Sequence, residues 1–162
     1  MSAILRDDER MVMPMTVVEL DAVAAIEAAA YPFPWTRGNF IDSLAAGYPA
    51  RVLLGERHRI VGYFVAMQGV DEMHLLNLTV APTEQSRGHG RYLLDRLVEL
   101  CRERHAHQLW LEVRQSNARA RALYLRYGFR QIGVRRGYYP AAFGRREDAA
   151  VMSLEVAQDA LE

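Results

Sequence analysis

The feature that most constrains this chain is a junction near its middle, where an apolar run stops, glycines intervene and an amphipathic pattern begins. The run His74–Val80 reads HLLNLTV, rich in aliphatic and β-branched residues, and it ends at Ala81-Pro82, which the interior of a strand does not tolerate. It is expected to be a strand. After the junction, Leu93, Leu94, Leu97, Val98 and Cys101 fall on one helical stripe, with Asp95, Arg96, Glu99 and Arg102 opposite. Between the two lies Glu84–Arg91, EQSRGHGR. A strand-to-helix turn of this kind receives the unpaired backbone N–H groups of the helix N-terminus, and glycine lets a ligand approach that backbone closely. An anion is the natural guest, with Arg87 and Arg91 available for charge-assisted hydrogen bonds. Gly88-x-Gly90 alone is a weak signal, since ordinary tight turns use it too. A dinucleotide fingerprint would need a third glycine at the position held by Leu93.

The rest of the chain supplies elements on both sides of this junction. Residues 1–10 are polar and aperiodic and are expected to form a frayed tail ahead of a single domain over 11–162. A short strand is predicted over Val12–Thr16 and a helix over Glu19–Tyr31, with Thr16 and Glu19 as a capping box. Tyr31-Pro-Phe-Pro-Trp35 breaks that helix, and Thr36 caps a second one running to Ala46 and stopping at Gly47. Strands follow at Ala50–Glu56, Ile60–Val70 and His74–Val80, then a helix from Gly90 to about His105. Leu109–Val113 is the next strand, and Asn117–Tyr127 a helix stopped by Gly128. Strands over Ile132–Arg135 and Ala150–Val156, separated by a loop at 136–149, complete the order. The fold class is therefore α/β (α+β), a mixed and mostly antiparallel sheet of about seven strands flanked by four helices.

Composition narrows the chemistry. All 20 residues counted as Lys+Arg are arginines, which excludes a Schiff-base lysine, a pyridoxal-phosphate enzyme and a Walker-type phosphate loop. Arg87–Arg146 holds 14 arginines against four acids, an excess that favours an anionic ligand. These arginines are spread over helices and strands rather than gathered in a tail, which disfavours nucleic acid. The single cysteine, Cys101, sits on an apolar stripe and reads as a small core residue. The five histidines show no paired metal spacing, so no metal is expected. No signal peptide or run of about 20 apolar residues is seen, so a cytoplasmic protein with no membrane association is expected.

Two motifs taken together carry a family resemblance. Gln85-Ser86-Arg87-Gly88-His89-Gly90 fits the Q/R-x-x-G-x-G/A signature of the Gcn5-related N-acetyltransferases, and Asn117-x-x-Ala120-x-x-Leu123-Tyr124-x-x-x-Gly128-Phe129 is similar to the second half of that family's cofactor site. The resemblance implies that the co-substrate is acetyl-coenzyme A. Its phosphates would be surrounded by Ser86, Arg87, Gly88, His89, Gly90 and Arg91, and its pantetheine arm would meet the backbone of Leu78, Thr79 and Val80 and the side chain of Asn117. Four further islands, Pro32–Trp35, Trp110–Arg114, Arg135–Pro140 and Glu147–Ala149, resemble the members that acetylate the N-terminal alanine of a small-subunit ribosomal protein. That implies a ribosomal-protein N-terminus as partner.

Alternation along LWLEVRQ turns Glu112 away from the face used by Leu111 and Val113, and it is the only acid of that strand, so it is a candidate general base. The bland alternative is a salt bridge to Arg114 or Arg91. Tyr124, two helical turns after Asn117, is the candidate acid that the resemblance assigns to the departing thiolate, with Tyr127 a rival and ordinary packing the alternative. Trp35, Tyr138 and Tyr139 are candidates for gripping the acceptor. A lysine side chain or small amine as acceptor, or a non-catalytic module that only binds acetyl-coenzyme A, remain alternatives on this evidence.

Overall fold

A computed structural model describes residues 9–158. Seven strands, β1 Met11–Pro14, β2 Ala50–Leu54, β3 Ile60–Gln68, β4 Glu72–Val80, β5 Gln108–Arg114, β6 Arg130–Pro140 and β7 Arg146–Glu155, hydrogen-bond in the order β1-β2-β3-β4-β5-β7-β6. The pairs β1/β2, β2/β3, β5/β7 and β6/β7 are antiparallel, whereas β4/β5 is parallel. Four helices accompany them: α1 Leu20–Ala30, α2 Arg37–Ala45, α3 His89–Glu103 and α4 Ala118–Tyr127. This is the mixed, mostly antiparallel α/β architecture expected from the sequence.

The helix ends are set by local chemistry. Thr16 and Glu19 form a reciprocal capping box around a one-turn 3₁₀ segment that leads into α1. Thr36 and Asn39 form another at the start of α2, and Asn117 Oδ1 accepts the Ala120 N–H, 3.1 Å, at the start of α4. Gly47 and Gly128 follow α2 and α4 with φ of +77° and +122°, a region that a Cβ disfavours.

Contacts divide the chain into two compact units, one running to Met67 and resuming at Asn77–Leu97, the other made of Gln68–Leu76 and the chain from Val98 onward. The core of the first unit includes Leu20, Val23, Phe40, Leu53, Tyr63, Phe64, Leu93 and Leu97. Burial of each such large apolar side chain favours the fold by about 1.5–3 kcal/mol. Gly62 on β3 is also required by packing: a Cβ there would meet the Thr79 carbonyl oxygen at 2.7 Å and Leu93 Cδ1 at 3.2 Å. The second unit buries Met73, Cys101, Leu109, Leu111, Phe129 and Met152. Burial pushes the Cys101 thiol up to about 11, in keeping with a core role.

Two expectations need correction or completion. The expected loop at 136–149 is shorter: β6 runs on to Pro140 and β7 begins at Arg146, pairing Tyr139 with Glu147 and Pro140 with Arg146 after a register shift between Arg135 and Tyr139, so that residues 141–145 alone make the connection. The extension has no apolar alternation to announce it, because every residue of β6 is exposed or half-buried. Side chains hold it instead. Arg146 donates to the carbonyls of Gly137 and Tyr138, each 2.9 Å, and Asp148 Oδ1 accepts the Gly137 N–H, 2.8 Å. Of the expected frayed tail, residues 1–8 lie outside the described residues, while Arg10 is buried and hydrogen-bonded.

Candidate active site

The glycine turn belongs to the first unit. Ser86 and Gly88 both take positive φ, +65° and +82°, folding the chain back before α3 begins. Arg10 braces the turn by donating to the carbonyls of Arg87, 2.7 Å, and Gly88, 3.2 Å. The buried carboxylate of Glu84 accepts from Arg59, 2.7 Å, and from Arg87, 2.9 Å. The Arg87 guanidinium is therefore tied into the turn rather than free to swing, whereas Arg91 is exposed on the first turn of α3. His89 is wholly buried, and burial, reinforced by the positive charge of Arg10, pushes its imidazole pKa down. A neutral, inward ring leaves its backbone as the group that faces the turn. No acidic residue occupies the first turn of α3, so nothing there offsets the positive end of the helix dipole.

Next to this turn in sequence, β4 is organised by a second buried carboxylate. Glu27 follows Leu20 and Val23 on the inward face of α1. Its Oε1 accepts from the Tyr63 hydroxyl, 2.7 Å, and from Asn77 Nδ2, 2.9 Å; its Oε2 accepts the Trp35 backbone N–H, 2.9 Å. Thr79 donates to Asn77 Oδ1, 2.7 Å, and so receives the Tyr31 hydroxyl at 2.8 Å. Burial pushes Tyr31 up to about 12, and burial together with the neighbouring Glu27 charge pushes Tyr63 higher still. This network pins the Trp35 loop and the Asn77–Thr79 backbone. Leu78 and Val80 are half-buried; the Tyr31 hydroxyl stands 3.4 Å from the Leu78 carbonyl and the Gln85 amide 3.5 Å from that of Val80.

Glu112 lies in the second unit. Its neighbours Leu111 and Val113 are buried on the opposite face of β5, as alternation requires, and its own side chain is only 5% exposed. His74 Nε2 stands 2.6 Å from Oε2, and Arg135 Nη1 stands 3.5 Å from Oε1. Neither Arg114 nor Arg91 fills the salt-bridge role that the sequence offered: Arg114 binds Glu147, 3.1 Å, and the Pro140 carbonyl, 2.7 Å. Glu147 in turn accepts the Ser116 N–H, 2.8 Å, and its pKa is lowered first by a hydrogen bond from the Ser116 side chain, then by this N–H and by Arg114. The Tyr139 hydroxyl donates to the Glu112 carbonyl, 3.0 Å, and its ring faces the Arg114 guanidinium at 4.5 Å. Burial, then the Glu112 charge, pushes its phenol up.

The model of the acetyltransferase (GNAT) family matches residues 20–129, two thirds of the chain. The chain belongs to that family. Among similar proteins, the [ribosomal protein bS18]-alanine N-acetyltransferase of Haemophilus ducreyi is 38% identical over 141 residues, covering 86% of this chain and 97% of that one. Its counterpart in Escherichia coli K12 is 37% identical over 142 residues, covering 88% and 95%. The crystal structure of the ribosomal-protein-S18-alanine N-acetyltransferase from Escherichia coli aligns with a TM-score of 0.83 at 34% identity, over 93% of this chain and 96% of that one. As a GNAT member the chain is an acyltransferase.

In this acetyltransferase the other expected residues fall as follows. Asn117 uses its side-chain oxygen to cap α4 and keeps its amide nitrogen as a donor for a ligand. Tyr124 is buried on α4 with its ring edge-on to Phe129, centroids 5.3 Å apart, while Tyr127 is half-buried and tilted against the same ring. Tyr138 and Tyr139 are neighbours on β6 with rings 4.9 Å apart, and Trp35, in the first unit, packs on Phe40 at 5.2 Å. Arg10, Glu27, Glu84 and His74 were missed. A carboxylate on the inward stripe of α1 was a readable sign for Glu27; the others depend on partners far away in sequence. Among the described residues no helix is long and apolar enough to cross a membrane, and no group of three potential metal ligands is gathered.

Proposed function

We propose that this chain is a RimI-type enzyme that transfers the acetyl group of acetyl-coenzyme A to the N-terminal alanine of ribosomal protein bS18, through one acetyltransferase domain over residues 11–162. One observation carries the reading: 38% identity spread over 97% of a relative named for that activity. A ribosomal acceptor puts the reaction in the cytoplasm.

The residues fit the co-substrate. A turn with Gly88 at positive φ, followed by a helix N-terminus without acids, suits a pyrophosphate, and the exposed Arg91 adds charge. Ser86, Arg87, His89 and Gly90 supply backbone to the same turn, Leu78, Thr79 and Val80 offer strand backbone to the pantetheine arm, and Asn117 offers its amide. Bound acetyl-coenzyme A supplies the activated thioester. Glu112 accepts the proton that the α-amine loses as its nitrogen bonds to the acetyl carbon, and Tyr124 delivers a proton to the sulfur as the carbon–sulfur bond breaks. An α-amine with a pKa of about 7.7–8.0 is already partly neutral near pH 7, so one carboxylate base suffices. Trp35, Tyr138 and Tyr139 are the residues assigned to grip the acceptor peptide.

The test is thiol release from acetyl-coenzyme A with two peptides, one carrying a free N-terminal alanine and no lysine, the other blocked at its N-terminus and carrying an internal lysine. Release with the first alone is expected. Release with the second alone would move the acceptor to a lysine side chain. Silence with both, despite measurable cofactor binding, would point to a small amine or a regulatory module.

A further inference from the structure

His74 has no role in the chemistry described so far, yet its ring is held more firmly than a half-buried strand histidine needs. In the parallel β4/β5 pair, His74 is opposite Trp110, so both side chains leave the sheet on one face, and Glu112, two residues beyond Trp110, leaves on the same face. The imidazole stacks on the indole with centroids 3.7 Å apart and planes 8° apart, which fixes the ring's tilt. Its Nε2 then meets Glu112 Oε2 at 2.6 Å. Because a carboxylate accepts, the imidazole carries its proton on Nε2. The second carboxylate oxygen, Oε1, is buried with no hydrogen-bond partner among the described residues, and Arg135 Nη1 is 3.5 Å away.

We infer that His74 is a positioning residue that occupies Oε2 of Glu112 and thereby leaves Oε1 as the proton acceptor. The inference rests on the reading of Glu112 as the base. A carboxylate able to rotate presents its basic lone pair only part of the time; one oxygen held by a ring clamped on Trp110 stops that rotation. The charged and titratable groups facing this carboxylate are His74 from β4 and Arg135 and Tyr139 from β6, while β7 sets Val151 across from it. Removing His74 deletes the one short donor to a carboxylate that is 5% exposed, and frees that carboxylate to rotate.

The experiment compares His74→Phe, which keeps an aromatic ring on Trp110 but no donor, with His74→Gln, which restores a donor of similar reach, and with Glu112→Gln. Expected for His74→Phe are a loss of about ten- to a hundredfold in kcat and a KM for acetyl-coenzyme A unchanged within about twofold. His74→Gln is expected to recover most of kcat, and His74→Phe to cost nothing further in the Glu112→Gln background. If His74→Phe fails to fold, His74→Leu gives the same readouts. Unchanged kcat in the donor-less variant, with Glu112→Gln inactive, would overturn the positioning role and leave the base assignment standing. Full turnover in Glu112→Gln would remove the base assignment itself, and the inference with it.

Discussion

Glu27 in the first unit and Glu112 in the second are the same side chain in comparable burial, and their surroundings differ in one respect. Both oxygens of Glu27 are occupied, by a phenol, an amide and a backbone N–H, all neutral donors. Glu112 has one oxygen held by an imidazole and the other without a hydrogen bond among the described residues. A fully satisfied buried carboxylate organises what surrounds it, here the Trp35 loop and the Asn77–Thr79 backbone; a half-satisfied one retains a lone pair for chemistry. Burial alone does not separate a structural acid from a reactive one. The count of donors per oxygen is what sets Glu112 apart, and it supports the base role proposed for it.

The comparison can be broken most directly at Glu112, the proposed base. Glu112→Gln is expected to lower turnover by about 10²–10⁴-fold, the usual range for a general base, with little change in acetyl-coenzyme A affinity by calorimetry. Parallel loss of both would make Glu112 structural, like Glu27. The converse substitution, Glu27→Ala, leaves three donors without an acceptor, and at about 1–3 kcal/mol each the expected loss of stability is roughly 3 kcal/mol or more in urea unfolding. A loss under about 1 kcal/mol would mean that water replaces the carboxylate.

Smaller effects sharpen the same contrast. Gly62→Ala drives a Cβ to within 2.7 Å of the Thr79 carbonyl, so the strand that carries the Glu27 network must shift, and a destabilisation of about 1–3 kcal/mol is expected in the same assay. The smallest effect is alkaline. Tyr31 titrates near 10 in the unfolded chain and is raised to about 12 when folded, so the stability it contributes is intact below pH 10 and is lost as pH rises from 10 through 12. Tyr31→Phe is expected to flatten that part of the stability-versus-pH curve, measured by thermal melts. An unchanged slope would show that the hydroxyl is equally easy to ionise in both states.

Legibility followed the range of the interaction. The Thr16–Glu19 capping box, the Thr36 cap and the Gly128 stop were readable because each partner lies within a few residues, whereas the Asn117 cap was not read. The turn at Gly88 was readable for the same reason, as was the outward alternation of Glu112 from Leu111 and Val113. The length of β6 and β7 was not, since an exposed edge of Arg, Gly and Tyr has no period to read and is held by Arg146 and Asp148 reaching back across the hairpin. Arg10 reads as part of a tail in the sequence because its partners, the carbonyls of Arg87 and Gly88, lie more than 75 residues away.

The sequence by itself determined the order of elements, their caps, the helix-opening turn suited to an anion and the family to which the chain belongs, because all of these are written in periodicities and short spacings. Tertiary structure alone decided which groups meet Glu112: His74 and Arg135 rather than Arg114 or Arg91. Strand register sets those meetings, and a shift of one residue would turn every side chain to the other face, so the partners of a strand residue cannot be read from its own strand.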